Sequence, residues 1–367
     1  MKFTCDRSIL LKEISIAQEV IASKNAISVL SNIYFEAEND SLTIRSTDMK
    51  VNFETVVPVT VIEPGSITVF GDKLLGILNT FPYDEIEFSQ KDITVQIKPV
   101  TQKKPEYKLK SIASDKFPEF PVSSSAFFEM PIKDFKEMVQ QTLFAVSDDE
   151  TRYFMNGVFL EKAEDKICMV ATDGRRLSFI DKEAGKNIND FSGVIIPPKI
   201  LNTVIKRAGD EGMISLSITD KTIFISFASY KFSSVLLEGQ FPNYKRVIPE
   251  KQLYSLTVNR VEMLGALHRA AIMVEQKLNR VYLGISPGKI TVYSDESEIG
   301  AVEDEIPCQY DGDEITIALN YRYIEEPFRI IKDENMCLHF TEFNKAITIV
   351  SVPEKDFFHI VMPMQTD

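Results

Sequence analysis

A chain of 367 residues with 44% hydrophobic content is long enough for two or three domains, each burying a core of its own. It has no run of about 18 apolar residues and opens Met1-Lys2-Phe3-Thr4-Cys5-Asp6-Arg7 without a signal-peptide stretch, so it reads as cytosolic, with no membrane span expected. A net charge of −13 excludes a protein that grips nucleic acid over its whole surface, but not one that meets DNA with a single face.

The first predicted helix carries Leu10, Ile14, Ala17 and Ile21 on one stripe, with Asp6 placed to cap it. A strand at Tyr34–Ala37 follows, then Leu42-Thr43-Ile44-Arg45-Ser46-Thr47-Asp48, a second helix over 72–81, and an alternating strand at Ile93–Ile97. The same order returns twice. The second helix stripe is Phe135, Met138, Val139, Leu143 and Val146, after Pro131 in a first-turn position. Its strand Val158–Leu160 leads to Ile167-Cys168-Met169-Val170-Ala171-Thr172-Asp173, a helix over 198–208 and a strand at Thr222–Phe227. The third stripe is Leu264, Leu267, Ala271 and Val274; then come Val281–Ile285, Ile290-Thr291-Val292-Tyr293-Ser294-Asp295, a helix over 320–332 and Ala346–Val350. The repeated Asp recurs at offsets of 125 and 122 residues. Asp115-Lys116-Phe117-Pro118-Glu119-Phe120 is echoed by Gly239-Gln240-Phe241-Pro242-Asn243-Tyr244. Three α+β domains are therefore predicted, 1–124, 127–250 and 253–367, each with two helices and roughly eight antiparallel strands. Pro327 falls inside the last helix and is expected to kink or shorten it.

Catalytic chemistry finds little footing. Cys5, Cys168, Cys308 and Cys337 are far apart, without zinc spacing, and read as inert thiols. Of three histidines, His268 lies on a helix and His339 and His359 in strands, and no nucleotide-loop or hydrolase motif occurs. The repeated aspartates invite an acid–base reading, as in a hydrolase, but an Asp after a strand commonly bonds its own backbone in a turn. The middle copy departs from the others at Gly174-Arg175-Arg176-Leu177, which suits an anion pocket or a small groove, and at Arg152-Tyr153-Phe154-Met155-Asn156-Gly157. The closing Ile360-Val361-Met362-Pro363-Met364 is either core or an adaptable binding surface.

Met1-Lys2-Phe3, Arg152–Gly157, Ala171–Leu177, Phe241–Tyr244 and Val361–Met364, in that order, resemble the bacterial sliding clamps, the β subunits of DNA polymerase III, over the full length. The resemblance implies a clamp fold closed as a head-to-tail homodimeric ring, with the helices lining a hole for duplex DNA and the sheets outside. It implies a processivity factor with neither catalytic activity nor cofactor, tethering the replicative polymerase α subunit, the clamp loader and other polymerases and repair proteins through short linear motifs. Its peptide pocket maps onto Met155, Thr172, Gly174, Arg175, Arg176, Leu177, Pro242, Arg246, Val247, Ile360, Met362, Pro363 and Met364. Its DNA contacts map onto Lys24, Lys73, Arg152, Tyr153, Lys199, Lys206 and Arg207, and its dimer edge onto Tyr107 and Leu109 against Ile272 and Met273. Arg175 stands where the family's best-known form has His, Asn344 and Ala346 lie at the pocket rim, and Asp72 and Asn79 stand where basic lining is expected. The six predicted helix segments sum to +5, leaving −18 for the rest of a chain of net charge −13, as suits a weakly attractive lining in a repelling body. A peptide-binding scaffold unrelated to DNA is the competing reading.

Overall fold

Asp6 ends a short strand, and its carboxylate accepts the backbone N–H groups of Ser8 and Ile9, so the chain turns into helix α1 (Arg7–Val20). The computed structural model describes residues 1–21, 29–183, 188, 191–275, 277–298 and 300–365. Among these, five more α-helices follow: α2 (Gly71–Thr80), α3 (Ile132–Thr142), α4 (Pro198–Arg207), α5 (Arg260–Ala271) and α6 (Tyr321–Ile330). Described strands number nine in the first third and eight in each of the others.

The chain divides into two compact units. One comprises Met1–Lys133 and Lys199–Leu236, with a short piece between. Its thirteen-stranded antiparallel sheet runs, in spatial order, 128–131, 213–218, 222–227, 230–235, 51–58, 41–47, 32–38, 65–70, 107–112, 94–99, 85–91, 2–6 and 60–63. Leu10, Ile14, Ala17 and Val20 of α1 are buried with Leu74 and Leu78 of α2, while Phe3, Phe35 and Phe88 form an aromatic core, Phe3 and Phe88 stacked at 4.9 Å. Gly71 opens α2, where an added Cβ would press on the movable end of the Gln18 side chain and on Ile21.

The other unit comprises Asp134–Lys186, Asp190–Pro198 and Leu237–Asp367. Its twelve-stranded antiparallel sheet runs 194–196, 158–163, 166–172, 176–183, 357–361, 347–352, 335–340, 254–259, 303–309, 289–293, 280–286 and 315–320. The middle third therefore contributes to both units, with the 176–183 strand pairing 357–361 and the 230–235 strand pairing 51–58.

Several expectations shift in detail. The third stripe is Met263, Ala266, Leu267 and Ala270, because the Asn259 cap starts α5 at Arg260; Leu264 is only half-buried. Helix α3 ends at Thr142, so Leu143 sits in a separate 3₁₀ turn and Val146 beyond it. Asn320 caps α6 with its side chain and is not part of it. Pro327 does not shorten α6, which continues to Ile330 and matches α2 and α4 at ten residues.

One buried carboxylate is out of keeping with its core. Glu13 on α1 is 4% exposed; Tyr230 Oη donates to its Oε1 at 3.1 Å, and its Oε2 has no partner. Burial raises its pKa, against the lowering effects of Tyr230, Lys12 and Arg207. A carboxyl whose folded pKa lies above its unfolded value penalises the native state increasingly as pH rises through that range. Glu13→Gln should therefore raise the unfolding midpoint at pH 7, by roughly 1 kcal/mol of stability on the scale of one unsatisfied buried polar atom. The gain should vanish below about pH 4.5. Calorimetry at both pH values checks this.

Candidate partner-binding site

The repeated Thr-Asp is a turn device in two copies. Asp48 Oδ1 accepts from Lys50 N and Val51 N, and Asp173 Oδ1 accepts from Arg175 N and Arg176 N. Thr47 and Thr172 hydroxyls accept from Met49 N and Gly174 N and donate to the Val51 and Arg176 carbonyls. Both turns need a left-handed residue, supplied by Met49 (φ 75°) and Gly174 (φ 87°). In the third copy Asp295 pairs with Arg280 instead, and Ser294 accepts from Val302 N. Each of the three aspartates is thus held in a structural bond.

Beyond the middle turn, Val170, Leu177, Ile195, Phe241, Tyr244 and Ile360 form one buried cluster, flanked by Phe154, Phe159, Phe179, Leu237, Ile248, Ala346 and Phe358. Strand pairing aligns Leu177 with Ile360 and Phe179 with Phe358. Phe241 stacks on Phe159 at 4.7 Å, and Tyr244 Oη donates to Glu161 at 2.7 Å. Desolvation, reinforced by that carboxylate, pushes the Tyr244 phenol up, so it remains a donor. Exposed above this floor are Arg175, Arg246, Val247 and Met362, with Pro242, Pro363 and Met364 half-exposed, while Met155 and Thr172 are buried. The tail is pinned by Met362 N donating to the Arg175 carbonyl (2.9 Å) and Met364 N to the Ala318 carbonyl (2.8 Å). The residues singled out as a pocket thus converge on one apolar floor with an exposed rim.

Arg176 departs from the expectation of an open anion pocket. Its guanidinium lies 4.6 Å from the Tyr323 ring centroid, donates to the Phe144 carbonyl at 2.6 Å, and pairs with Asp173 and Glu326. Its charge is satisfied internally and holds the turn from behind. Tyr323, Glu326 and Phe144 escaped the sequence reading because they lie far along the chain in other elements. Only the unusual Arg-Arg pair signalled that something had to receive it.

Beneath the pocket strands His359 is buried, its Nδ1 3.0 Å from Ser178 Oγ and its Nε2 3.1 Å from Gln141 Oε1. Burial drives its pKa down to about 3. As pH falls from about 6.5 towards 3, the unfolded chain takes up a proton that the native state refuses, so stability declines over that window, by about 4 to 5 kcal/mol in total. Urea unfolding across pH should show this limb, and His359→Phe should flatten it.

The residues expected to face DNA are mostly committed elsewhere. Lys199 Nζ donates to the Val20 carbonyl at the end of α1 (2.8 Å) and to Asp48 (2.6 Å). Arg207 pairs with Glu19, and Lys73 lies 3.7 Å from Asp72. Asn79, like Asp72, is exposed on α2, which contributes no net charge. Lys206 is exposed on α4, and Lys24 lies outside the described residues. Arg152, paired with Asp149, packs against Gly174, and Tyr153 lies beside Gly239, both in the 3₁₀ segment Glu150–Met155 and not on one of the six α-helices. At the expected dimer edge, Tyr107 and Leu109 lie on the 107–112 strand and are half-buried. Ile272 follows α5 at 79% exposure, with Met273 half-buried beside it.

No group of three or more His, Cys, Asp or Glu able to hold a metal occurs among the described residues. All four cysteines are free thiols, and burial raises them, Cys5 to about 12 and Cys168 to about 11, far from a reactive thiolate. What the geometry offers is a buried apolar cluster on a repeated α+β scaffold, rimmed by the exposed Arg175, Arg246, Val247 and Met362.

Comparison with known proteins agrees. Profiles of the DNA polymerase III beta subunit match throughout: the N-terminal domain at residues 1–121, the central domain at 129–243 and the C-terminal domain at 245–365. The beta sliding clamp of Treponema pallidum (strain Nichols) is 44% identical over 372 residues, covering 100% of both chains, and that of Pseudomonas putida is 27% identical over the same span. Crystal structures of sliding clamps bound to griselimycin, from Pseudomonas aeruginosa (TM-score 0.95, 25% identity) and Bartonella birtlesii (0.94, 27%), match over 100% of each chain. The chain belongs to the bacterial DNA polymerase III beta-subunit family, the beta sliding clamps.

Proposed function

We propose that this chain works as a DNA sliding clamp: a dimeric ring that encircles duplex DNA during replication and tethers the replicative polymerase and other motif-bearing proteins, in the cytoplasm. The full-length match to a beta sliding clamp at 44% identity carries this reading. The protein is a clamp and not an enzyme. On this reading the chain forms three clamp domains, 1–124, 127–250 and 253–367, and the apolar floor at Leu177, Phe241 and Ile360 takes the linear motifs of partners. Apolar anchors worth about 1.5–3 kcal/mol each, less the cost of ordering a peptide, give affinities on the order of micromolar. That strength permits exchange among partners.

Two unpaired sheet edges support ring closure. Tyr107–Lys110 pairs with 94–97 on one side only, and Glu303–Pro307 pairs with 289–293 on one side only. Open edges of this kind invite a further strand. The first carries exposed Lys108 and Lys110, the second exposed Glu303 and Glu305, so the edges are complementary in charge as well as in hydrogen bonding. Because the cations of α1, α2 and α4 are few and largely paired, contact with DNA is weak and retention is topological. The test is retention after loading. The clamp should stay on circular DNA and slide off the same DNA once linearised. Equal loss from both, or equal retention on both, sinks the ring.

A further inference from the structure

The pocket's frame is built twice, and the two copies differ in the polarity of one face. Strand register makes the correspondence residue by residue. Arg45 pairs with Glu54 as Val170 pairs with Phe179, and Thr47 pairs with Asn52 as Thr172 pairs with Leu177. The next strand continues the match: Asn52 and Glu54 pair with Ser233 and Lys231, as Leu177 and Phe179 pair with Ile360 and Phe358. Even the lid recurs, since Phe117 lies over Tyr34 at 5.3 Å as Phe241 lies over Phe159 at 4.7 Å.

On the face that forms the pocket in the middle copy, the first copy places a closed polar network. Glu54 accepts from Arg45 (2.7 Å) and from Lys231 (2.9 Å), and Asn52 donates to Ser233 (3.0 Å). The Arg45 guanidinium is held between the Tyr34 and Phe120 rings, at 5.4 and 5.7 Å. The opposite face differs only locally. Phe53 and Phe232 meet at 5.1 Å where the middle copy has the Ser178–His359 hydrogen bond. Residues alternate between the faces of a strand, so the difference lies on the groove face: the first copy is polar there where the middle copy is apolar, while the opposite face is apolar in both, with Ile44 and Phe53 buried in the one and Met169 and Ile180 in the other. The first copy still has an open groove of about 520 Å³ there, lined by Arg45, Glu54, Phe120, Phe127 and Lys231 among others. The first groove is therefore not filled by its own side chains.

We infer that the Arg45–Glu54–Lys231 network, with Asn52–Ser233, is the specificity determinant that bars apolar linear motifs from the first groove and confines them to the one at Leu177 and Ile360. Seating a Leu or aromatic side chain there would strip water from a bonded ion pair without replacing its partners. The inference rests on the reading of the middle groove as the motif site, and deepens it.

The test is peptide stoichiometry by calorimetric titration, using a short peptide with a Gln followed by Leu and an aromatic. The unaltered protein should bind one peptide per chain. Arg45→Val, Asn52→Leu, Glu54→Phe, Lys231→Phe and Ser233→Ile together restore the middle-copy pattern and should raise this to two. A variant with a native melt that still binds one overturns the inference. Should the variant not fold, photo-crosslinking of the peptide to the unaltered protein decides: adducts confined to fragments holding 170–179 or 358–360 support it, and adducts on 45–54 or 231–233 overturn it. Two peptides on the unaltered chain sink this inference alone, whereas none at all sinks the motif-site reading along with it.

Discussion

Lys108→Glu with Lys110→Glu in one preparation, and Glu303→Lys with Glu305→Lys in another, should each give monomers at micromolar concentration and dimers when mixed. The proposed head-to-tail dimer has two interfaces, and the proposal joins the 107–110 edge of one protomer to the 303–307 edge of its partner in each. Either double variant alone sets like charges across both interfaces. In the mixed dimer one interface carries the swapped pair and the other the native pair, so both are complementary. Two charge pairs changed from attraction to repulsion, at about 1 kcal/mol each way in water, amount to about 4 kcal/mol per interface, on the order of a thousandfold in association. The rescued dimer should weaken with added salt, because these side chains are exposed. Light scattering of the separate and mixed samples reads the outcome. Homodimers of either variant, or no rescue on mixing, would place the interface elsewhere.

The sequence made the repeat legible because each copy must bury the same helix stripe and the same alternating strands. Phasing was less secure. At α5 the stripe slid by one residue, since Met263 and Leu264 are equally apolar and only the Asn259 cap decides where the helix begins. The family motif points to the proposed pocket residues one by one, whereas the pairing of Leu177 with Ile360 joins positions 183 residues apart, which no local pattern reports. Charge was read least well. A segment sum counts Lys199 and Arg207 as free cations, yet one caps the end of α1 and the other pairs with Glu19. Those partners lie about 180 residues away, on an element brought near only by folding. The polar groove face of the first copy against the apolar one of the middle copy was hidden for a related reason: Arg45 and Val170 occupy one position of the repeat, but only the strand register says that they face the same way.

Truncation after Val361 should lower the affinity for a motif peptide by about 100-fold while the dimer and the unfolding midpoint stay near those of the intact chain. The argument starts from what the tail touches. Met362 is 42% exposed and Met364 half-exposed, so neither is core, and each is tied down only through its backbone N–H. Their removal therefore takes two flexible apolar anchors from the rim while leaving Leu177, Phe241 and Ile360 packed below. At about 1.5 kcal/mol each, two lost anchors correspond to roughly two orders of magnitude in affinity. Two backbone hydrogen bonds go as well: the Arg175 carbonyl lies in an exposed turn where water replaces the partner, and the Ala318 carbonyl, on a buried residue of the outermost strand, loses a bond worth about 1 kcal/mol, a small part of the whole stability. The strand pairing of Ile360 and Val361 with the 176–183 strand is untouched, which is why the cut belongs after Val361 and not before it. Fluorescence anisotropy with a labelled peptide, beside light scattering of the same sample, separates the two effects. Unchanged peptide affinity would remove the tail from the site; loss of the dimer together with the peptide would show that the truncation had damaged the fold instead.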